Sequence, residues 1–216
     1  MEQEKLNEIV ANHVKWLQDE GGKRADLRYA DLSKAVLREA DLRYADLCHA
    51  DLRGVDLRGA VLREADLRYA DLCHAYLCHA DLEEAVLEEA YLRKADLRGA
   101  KLYHACLRKA DLEGADLRYA DLCHADLRGV DLCGAKLPIG VYQIMGPGSR
   151  NRCTTYVAVN DQVICGCWDD GAGNKLNSFA RRIEEIYGTK GETPNSKYYA
   201  EYMSAINFFR AMKELK

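Results

Sequence analysis

Long hydrophobic runs are missing from this chain. Nowhere in its 216 residues do about 18 apolar residues follow one another, which excludes a transmembrane helix. A large excess of charge is missing too. A net charge of −4 supplies neither a basic tail for nucleic acid nor a polybasic patch for a membrane surface. The short motifs of common enzymes are absent: there is no G-x-S-x-G, no H-E-x-x-H and no P-loop. Histidine does not occur after His124, so the C-terminal part cannot build a Cys–His dyad from its own residues. The expectation is a protein that is not an enzyme and carries no cofactor. The polar start, Met1 to Lys5, is unlike a signal peptide. Nine cysteines are an odd count, and with no sign of secretion they read as free thiols in a reducing, cytoplasmic setting.

What the chain has in abundance is leucine at every fifth position. Leu27 to Leu137 mark 23 unbroken repeats. The residue two before each leucine is alanine, except Val55 and Val130, and the residue between them is aspartate in 15 repeats. An α-helix cannot use this period. A step of five advances the side chain by about 500°, so the leucines spray around the axis and leave no stripe to bury. A straight strand fails as well, because an odd step sends successive leucines to opposite faces. The chain must turn the same way at each repeat. Turns of about 90° close a square coil after four repeats, and coils then stack about 4.8 Å apart. The 23 repeats make nearly six coils, roughly 27 Å of solenoid at that spacing. Alanine and leucine face inward, aspartate and the residue after leucine face outward, and the fifth residue sits at the corner. That corner suits glycine, found at 54, 59, 99, 114, 129 and 134.

The pattern A(D/N)LXX resembles the pentapeptide-repeat family. The resemblance implies a mainly β fold, a right-handed quadrilateral β-helix. The stretch from His13 to Leu27, HVKWLQDEGGKRADL, is similar to the lead-in of bacterial and phage members. GSRNRCTTY and CGCW, further on, resemble a C-terminal extension found on members of unknown function.

Three segments follow. Residues 1–24 form an amphipathic helix with Leu6, Ile9, Val10, His13, Val14 and Leu17 on one side, stopped by Gly21 and Gly22. It is expected to cap the solenoid. Residues 25–137 are the β-helix. Residues 138–216 read as a small α+β domain. Its strands are expected at 141–145, 152–159 and 162–168, with Asn160-Asp161 as a hairpin turn between the last two. A helix capped by Asn177 or Ser178 runs to Tyr187 and ends at Gly188. A second starts near Asn195, with Tyr199, Met203, Ile206, Phe209 and Met212 as its apolar stripe.

Residues 20 apart should stack in columns. Glu88 then lies between Arg68 and Arg108, Arg93 beside Glu113, and Glu89 between Tyr69 and Lys109. Asp31, Asp51 and Asp71 stack like on like, only partly compensated by the residues two further on. Cys-His occurs at 48–49, 73–74, 78–79 and 123–124, but successive pairs diverge around corners, and no two repeat cysteines stand 20 apart for a disulfide. No metal site is therefore assigned. The candidate ligands, if there were one, are His104 and His124, neighbours in one corner column, with Glu84 preceding them. Cys153, Cys165 and Cys167 read as core thiols, and DDGAGN at 169–174 as a turn.

Three functions stay open. The first is a protein-interaction scaffold for an unknown partner or for a second copy. The second comes from the family: some members resemble duplex DNA and bind DNA gyrase. Duplex DNA carries a charge about every 1.7 Å, so 27 Å of mimic needs roughly 16 negative charges. Residues 25–137 hold 22 acidic and 17 basic residues, a net of −5, and Arg38, Arg58, Arg98 and Arg118 line one wall. The third is metal or redox sensing through exposed thiols and imidazoles.

Overall fold

The computed structural model describes residues 1–138, the strands β1 (Val141–Ile144), β2 (Thr154–Val157) and β3 (Gln162–Cys165), and five helical residues between 203 and 211. Contacts divide the chain into two units, Met1–Ile139 and Gly140–Lys216.

In the first unit the coil has a register of 20 residues. Parallel bridges run from Asp26↔Asp46 to Asp116↔Lys136. Each interior repeat donates three backbone hydrogen bonds to the coils above and below and accepts three in return. The Leu27 N–H donates to the Asp46 carbonyl at 2.7 Å, the Tyr29 N–H to the Cys48 carbonyl at 3.1 Å, and the Asp46 N–H to the Ala25 carbonyl at 3.0 Å. The sides of the coil are too short for extended strands. Only the residue before each leucine bridges, and turns fill the rest.

Each corner is a β-turn closed by a bond from the next alanine N–H to the leucine carbonyl, as in Ala30 to Leu27 at 3.1 Å. The third turn residue has positive φ, as a type II turn requires. This holds at every fifth residue from 29 to 134: at the six glycines, and equally at Tyr29 (φ 57°), His49 (60°) and Lys94 (56°). The corner therefore does not demand glycine. The stack offsets the left-handed cost, about 1–2 kcal/mol for an ordinary residue, through its bonds to neighbouring coils.

The turns leave four walls, which begin in the first coil at 26–28, 31–33, 36–38 and 41–43 and recur every 20 residues. Inside, leucines 27 to 132 are at most 3% exposed, and alanine or valine fills the gaps between them. No single coil could bury this surface alone; stacking does it.

The helix α1 (Gln3–Leu17) belongs to the same unit. Leu6 and His13 are buried, and Ile9, Val10, Val14 and Leu17 are half-buried, which is the stripe expected of it. Its end differs from the expectation. The Glu20 N–H bonds the Lys15 carbonyl at 2.9 Å and the Asp19 N–H the Trp16 carbonyl at 3.2 Å, a Schellman closure with Asp19 at φ 57°. The helix thus stops before Gly21 and Gly22. Gly22 serves close packing instead. A Cβ there would lie 2.2 Å from the Asn12 carbonyl oxygen, so only glycine lets the chain pass under the helix.

The first coil has no coil beneath it, and α1 stands in its place. The N-terminal amine donates to the Asp31 carbonyl at 2.5 Å. The Gln3 amide acts as a strand edge, donating to the Val36 carbonyl at 2.8 Å and accepting its N–H at 2.9 Å. His13 accepts the Ala25 N–H at 3.1 Å and donates to the Arg43 carbonyl at 3.0 Å.

In the second unit, β1, β2 and β3 form an antiparallel sheet in chain order. Val141 pairs with Val157, and Thr154 with Cys165. These strands fall inside the three expected runs. The pairing of β2 with β3 ends at Val157↔Gln162, and the expected turn at Asn160-Asp161 lies outside the described residues. The expected helix ending at Tyr187, the DDGAGN stretch, Cys153 and Cys167 lie outside them too. Met203, Ile206, Asn207, Arg210 and Ala211 are helical, and Ile206 is buried. Among the described residues no helix is long and apolar enough to cross a membrane.

Candidate functional site

The outward face is ordered by one local device. In most repeats the aspartate before leucine accepts the backbone N–H two residues on, at 3.0 Å from Ser33 to Asp31 and 3.1 Å from Arg68 to Asp66. This is an Asx turn, and it leads the chain into the corner. Where the residue after leucine is arginine, its guanidinium folds back on the same carboxylate. Arg98 Nε and Nη2 reach Asp96 at 2.8 and 2.7 Å, and Arg53 holds Asp51 at 2.8 and 2.5 Å. Arg28 beside Asp26 holds that carboxyl at about 2, and Arg53 likewise lowers Asp51.

This corrects the expectation of a frustrated column. Asp31, Asp51 and Asp71 do stack, but each has its own donors: the Ser33 hydroxyl at 2.7 Å, Arg53, and the Cys73 N–H at 3.0 Å. Arg53 also lies 3.8 Å from Asp71 and ties two coils together. The expected ladders form for Arg93 with Glu113, for Lys109 with Glu89 at 2.9 Å and for Arg108 with Glu88 at 3.6 Å. Arg68 turns to Asp66 at 2.8 Å, its nearest carboxylate in sequence.

A column that sequence reasoning overlooked is aromatic. Tyr29, His49 and Tyr69 stack with ring centroids 5.0 and 4.7 Å apart, nearly parallel, on an exposed corner. The 20-residue spacing alone would have found it.

His104 and His124 do meet. Their rings stack at 5.0 Å and 17°, with Tyr103 edge-on to both. Parallel faces at that distance do not aim two ring nitrogens at one ion. Glu84 joins this neighbourhood through its backbone N–H, which bonds the Tyr103 carbonyl at 2.9 Å. Among the described residues, no three His, Cys, Asp or Glu side chains are grouped to hold a metal.

The six described repeat cysteines are half-buried, and Cys48, Cys73, Cys78 and Cys106 are free thiols. Burial and the hydrogen bond to Asp71 push the Cys73 thiol up to about 11, and burial raises Cys48 as well. Redox sensing needs thiolate, and these two sites suppress it.

Parallel coils of four pentapeptides, closed by left-handed corners around a leucine interior, define a β-helix solenoid. The chain belongs to the pentapeptide repeat family, whose model matches residues 23–59, 40–77, 70–108 and 105–138. Similar solved structures include HetL, a pentapeptide repeat protein involved in heterocyst differentiation regulation in the cyanobacterium Nostoc sp. strain PCC 7120. It is 39% identical over 54% of this chain and 59% of its own length, with a TM-score of 0.28. QnrB1, a plasmid-mediated fluoroquinolone resistance protein, is 25% identical over 56% of this chain and 70% of its own, with a TM-score of 0.42. A pentapeptide repeat protein of the Arabidopsis thaliana thylakoid lumen is 19% identical over 84% and 90%, with a TM-score of 0.33. The chain thus spans less than two thirds of HetL. Among curated proteins none matches.

Proposed function

We propose that this protein is a non-enzymatic interaction scaffold that acts in the cytoplasm. The observation that supports this most is the division between interior and walls. Alanine, valine and leucine fill the space within the coils, while Tyr76 and Tyr91 stand exposed on the walls and Tyr29 and Tyr119 at the corners, among ordered ion pairs. Exposed tyrosine and arginine on a flat, pre-ordered wall suit a macromolecular partner. In this reading α1 is the N-terminal cap that keeps the first coil from pairing with another β-edge. Residues 138–216 are a small α+β domain that adds specificity, either for the partner or for a second copy.

The gyrase reading is the weaker one. A DNA mimic should carry unpaired negative charge, whereas 12 arginines stand in the repeat segment and several cover aspartates. Affinity capture with the full chain and with a chain ending at Leu137 tests the scaffold. A partner retained by either bait supports it, and absence of any specific partner from both overturns it. Purified gyrase, assayed for supercoiling with the full chain present, separates the second reading: inhibition or protection from a quinolone would favour the DNA mimic.

A further inference from the structure

The four walls are not electrically alike. The second wall, starting at 31–33, sets Arg53 and Arg93 against six acidic residues. The third, starting at 36–38, reverses this: Arg38, Arg58, Arg98, Arg118 and Lys136 face only Asp56, Asp96 and Asp116. Depth sharpens the contrast. The three aspartate side chains of the third wall are 14–23% exposed, and the four arginine side chains above them 45–55%. The acid lies against the coil and the base lies outside it, so the surface a partner meets is basic.

The arginines are also held in place. Arg58, Arg98 and Arg118 each donate from Nε and Nη2 to their own aspartate, between 2.6 and 2.9 Å. Arg38 reaches Asp56 of the next coil at 2.5 Å. A guanidinium engaged along that edge turns its Nη1 edge away from the carboxylate, toward solvent, where it can grip a second anion. Neighbouring arginines repeat at the coil spacing of about 4.8 Å. Between the two arginine pairs stands Tyr76, half exposed, with the Arg58 guanidinium 5.8 Å from its ring centre.

Resting on the scaffold reading, we infer that the third wall is the docking surface for an acidic segment of a protein partner, with Tyr76 as its apolar anchor. A protein fits better than nucleic acid. The whole chain is net negative, and the acidic second wall adjoins this one, so a polyanion bearing a charge about every 1.7 Å would be repelled at its flank. A local cluster of Asp and Glu around an apolar contact meets the basic, tyrosine-centred strip without that penalty.

The test is fluorescence anisotropy of a labelled oligo-glutamate peptide against the full chain at low and moderate salt. The expected result is salt-sensitive binding that R58E/R98E weakens by about tenfold or more. R68E/R108E, which makes the same charge change on the first wall, should weaken it far less. The thermal midpoint shows whether each variant is folded, and R58Q/R98Q replaces the reversal if that variant is not. No binding at low salt overturns the proposal. So do equal losses from the two reversals, or tighter binding of a DNA duplex of equal charge. Capture of the same partner by an R58E/R98E bait would overturn the wall assignment and leave the scaffold reading standing. Peptide binding without any captured partner would support the wall while the scaffold reading fails.

Discussion

The Nδ1 atom of His13 accepts the backbone N–H of Ala25 at 3.1 Å, at the point where the lead-in becomes the first coil. Its other nitrogen, Nε2, donates to the Arg43 carbonyl at 3.0 Å, on the last side of the same coil. Only the neutral Nε2–H tautomer makes both bonds. One ring thus pins α1 to both ends of the first turn of the solenoid.

A pH dependence follows. Burial lowers the pKa of His13 below its ordinary 6.5, opposed in part by the Arg43 carbonyl and Asp41, and assisted by Arg24 and Arg43. The unfolded chain therefore binds the proton more readily than the folded one. Stability rises with pH through this window, and the contribution of His13 is lost as pH falls below about 6.5. The depressed carboxylates, Asp26 and Asp51 among them, act at lower pH, since their stabilisation fades only as they protonate. Hydrogen exchange of the α1 amides should quicken between pH 7.5 and 5.5, beyond the intrinsic pH dependence of exchange. In His13→Gln, which can donate and accept but not titrate, that extra pH dependence should vanish. An unchanged pH profile in this variant would remove His13 from the account.

Two corner glycines differ in a way that can be measured. A Cβ on Gly99 would meet His79 Nδ1 at 2.6 Å, while one on Gly134 would meet nothing within 4 Å. Both have φ near 67°. Gly134→Ala should cost only the left-handed term, about 1 kcal/mol. Gly99→Ala should cost about 1 kcal/mol more, because His79 must leave its rotamer. Thermal unfolding of both variants, with Gly99→Ala repeated in a His79→Ala background, checks this. The difference should disappear in that background.

Much of this architecture was legible in the leucine period, because a step of five admits neither helix nor flat strand. The column rule placed Arg93 against Glu113 and His104 against His124. What stayed hidden depends on atoms rather than on periods. Asp31, Asp51 and Asp71 look only partly compensated by the residues two further on, because spacing does not reveal that the backbone N–H of each of those residues also turns onto the carboxylate. His13 reads as one more member of a helical stripe, since nothing in its neighbours announces that Ala25 and Arg43 converge on it. The Asp19 closure of α1 was masked by Gly21-Gly22, a more familiar stop signal.

The aspartate before leucine has two roles, and substitution can separate them. Asp51 accepts the Arg53 N–H at 3.2 Å and pairs with its guanidinium. Asparagine keeps the Asx acceptor and loses the charge; alanine loses both. Exposed ion pairs contribute about 0–1 kcal/mol, so Asp51→Asn should be nearly neutral. Asp51→Ala should cost about 1 kcal/mol more for the lost bond. Denaturant unfolding at pH 7 distinguishes them. Equal losses in both variants would mean that the ion pair, not the turn, is what the aspartate supplies.

The core has a single sharp test. Leu87 is 1% exposed, in the middle of the stack, with leucines of the coils above and below on the same column. Leu87→Ala opens a cavity and should cost about 2–5 kcal/mol while leaving a folded chain. Leu87→Asp buries a charge with no partner and should abolish cooperative folding. Circular dichroism and a thermal melt separate these outcomes, and a fully stable Leu87→Asp chain would contradict the inward-facing column.

Removing residues 1–22 should do more than subtract a helix. It takes away the amine on Asp31, the Gln3 amide on Val36 and the His13 ring on Ala25 and Arg43. The first coil would then expose its backbone as an open β-edge, and open edges pair with whatever edge they meet. The truncated chain should therefore form concentration-dependent aggregates in analytical ultracentrifugation. Gln3→Ala refines the test, because it strips the Val36 pairing alone. If α1 acts by completing the hydrogen bonds of the first coil, Gln3→Ala should lower the thermal midpoint by a few degrees without dissociating the helix. A monodisperse, equally stable truncation would show that the coil closes its own end.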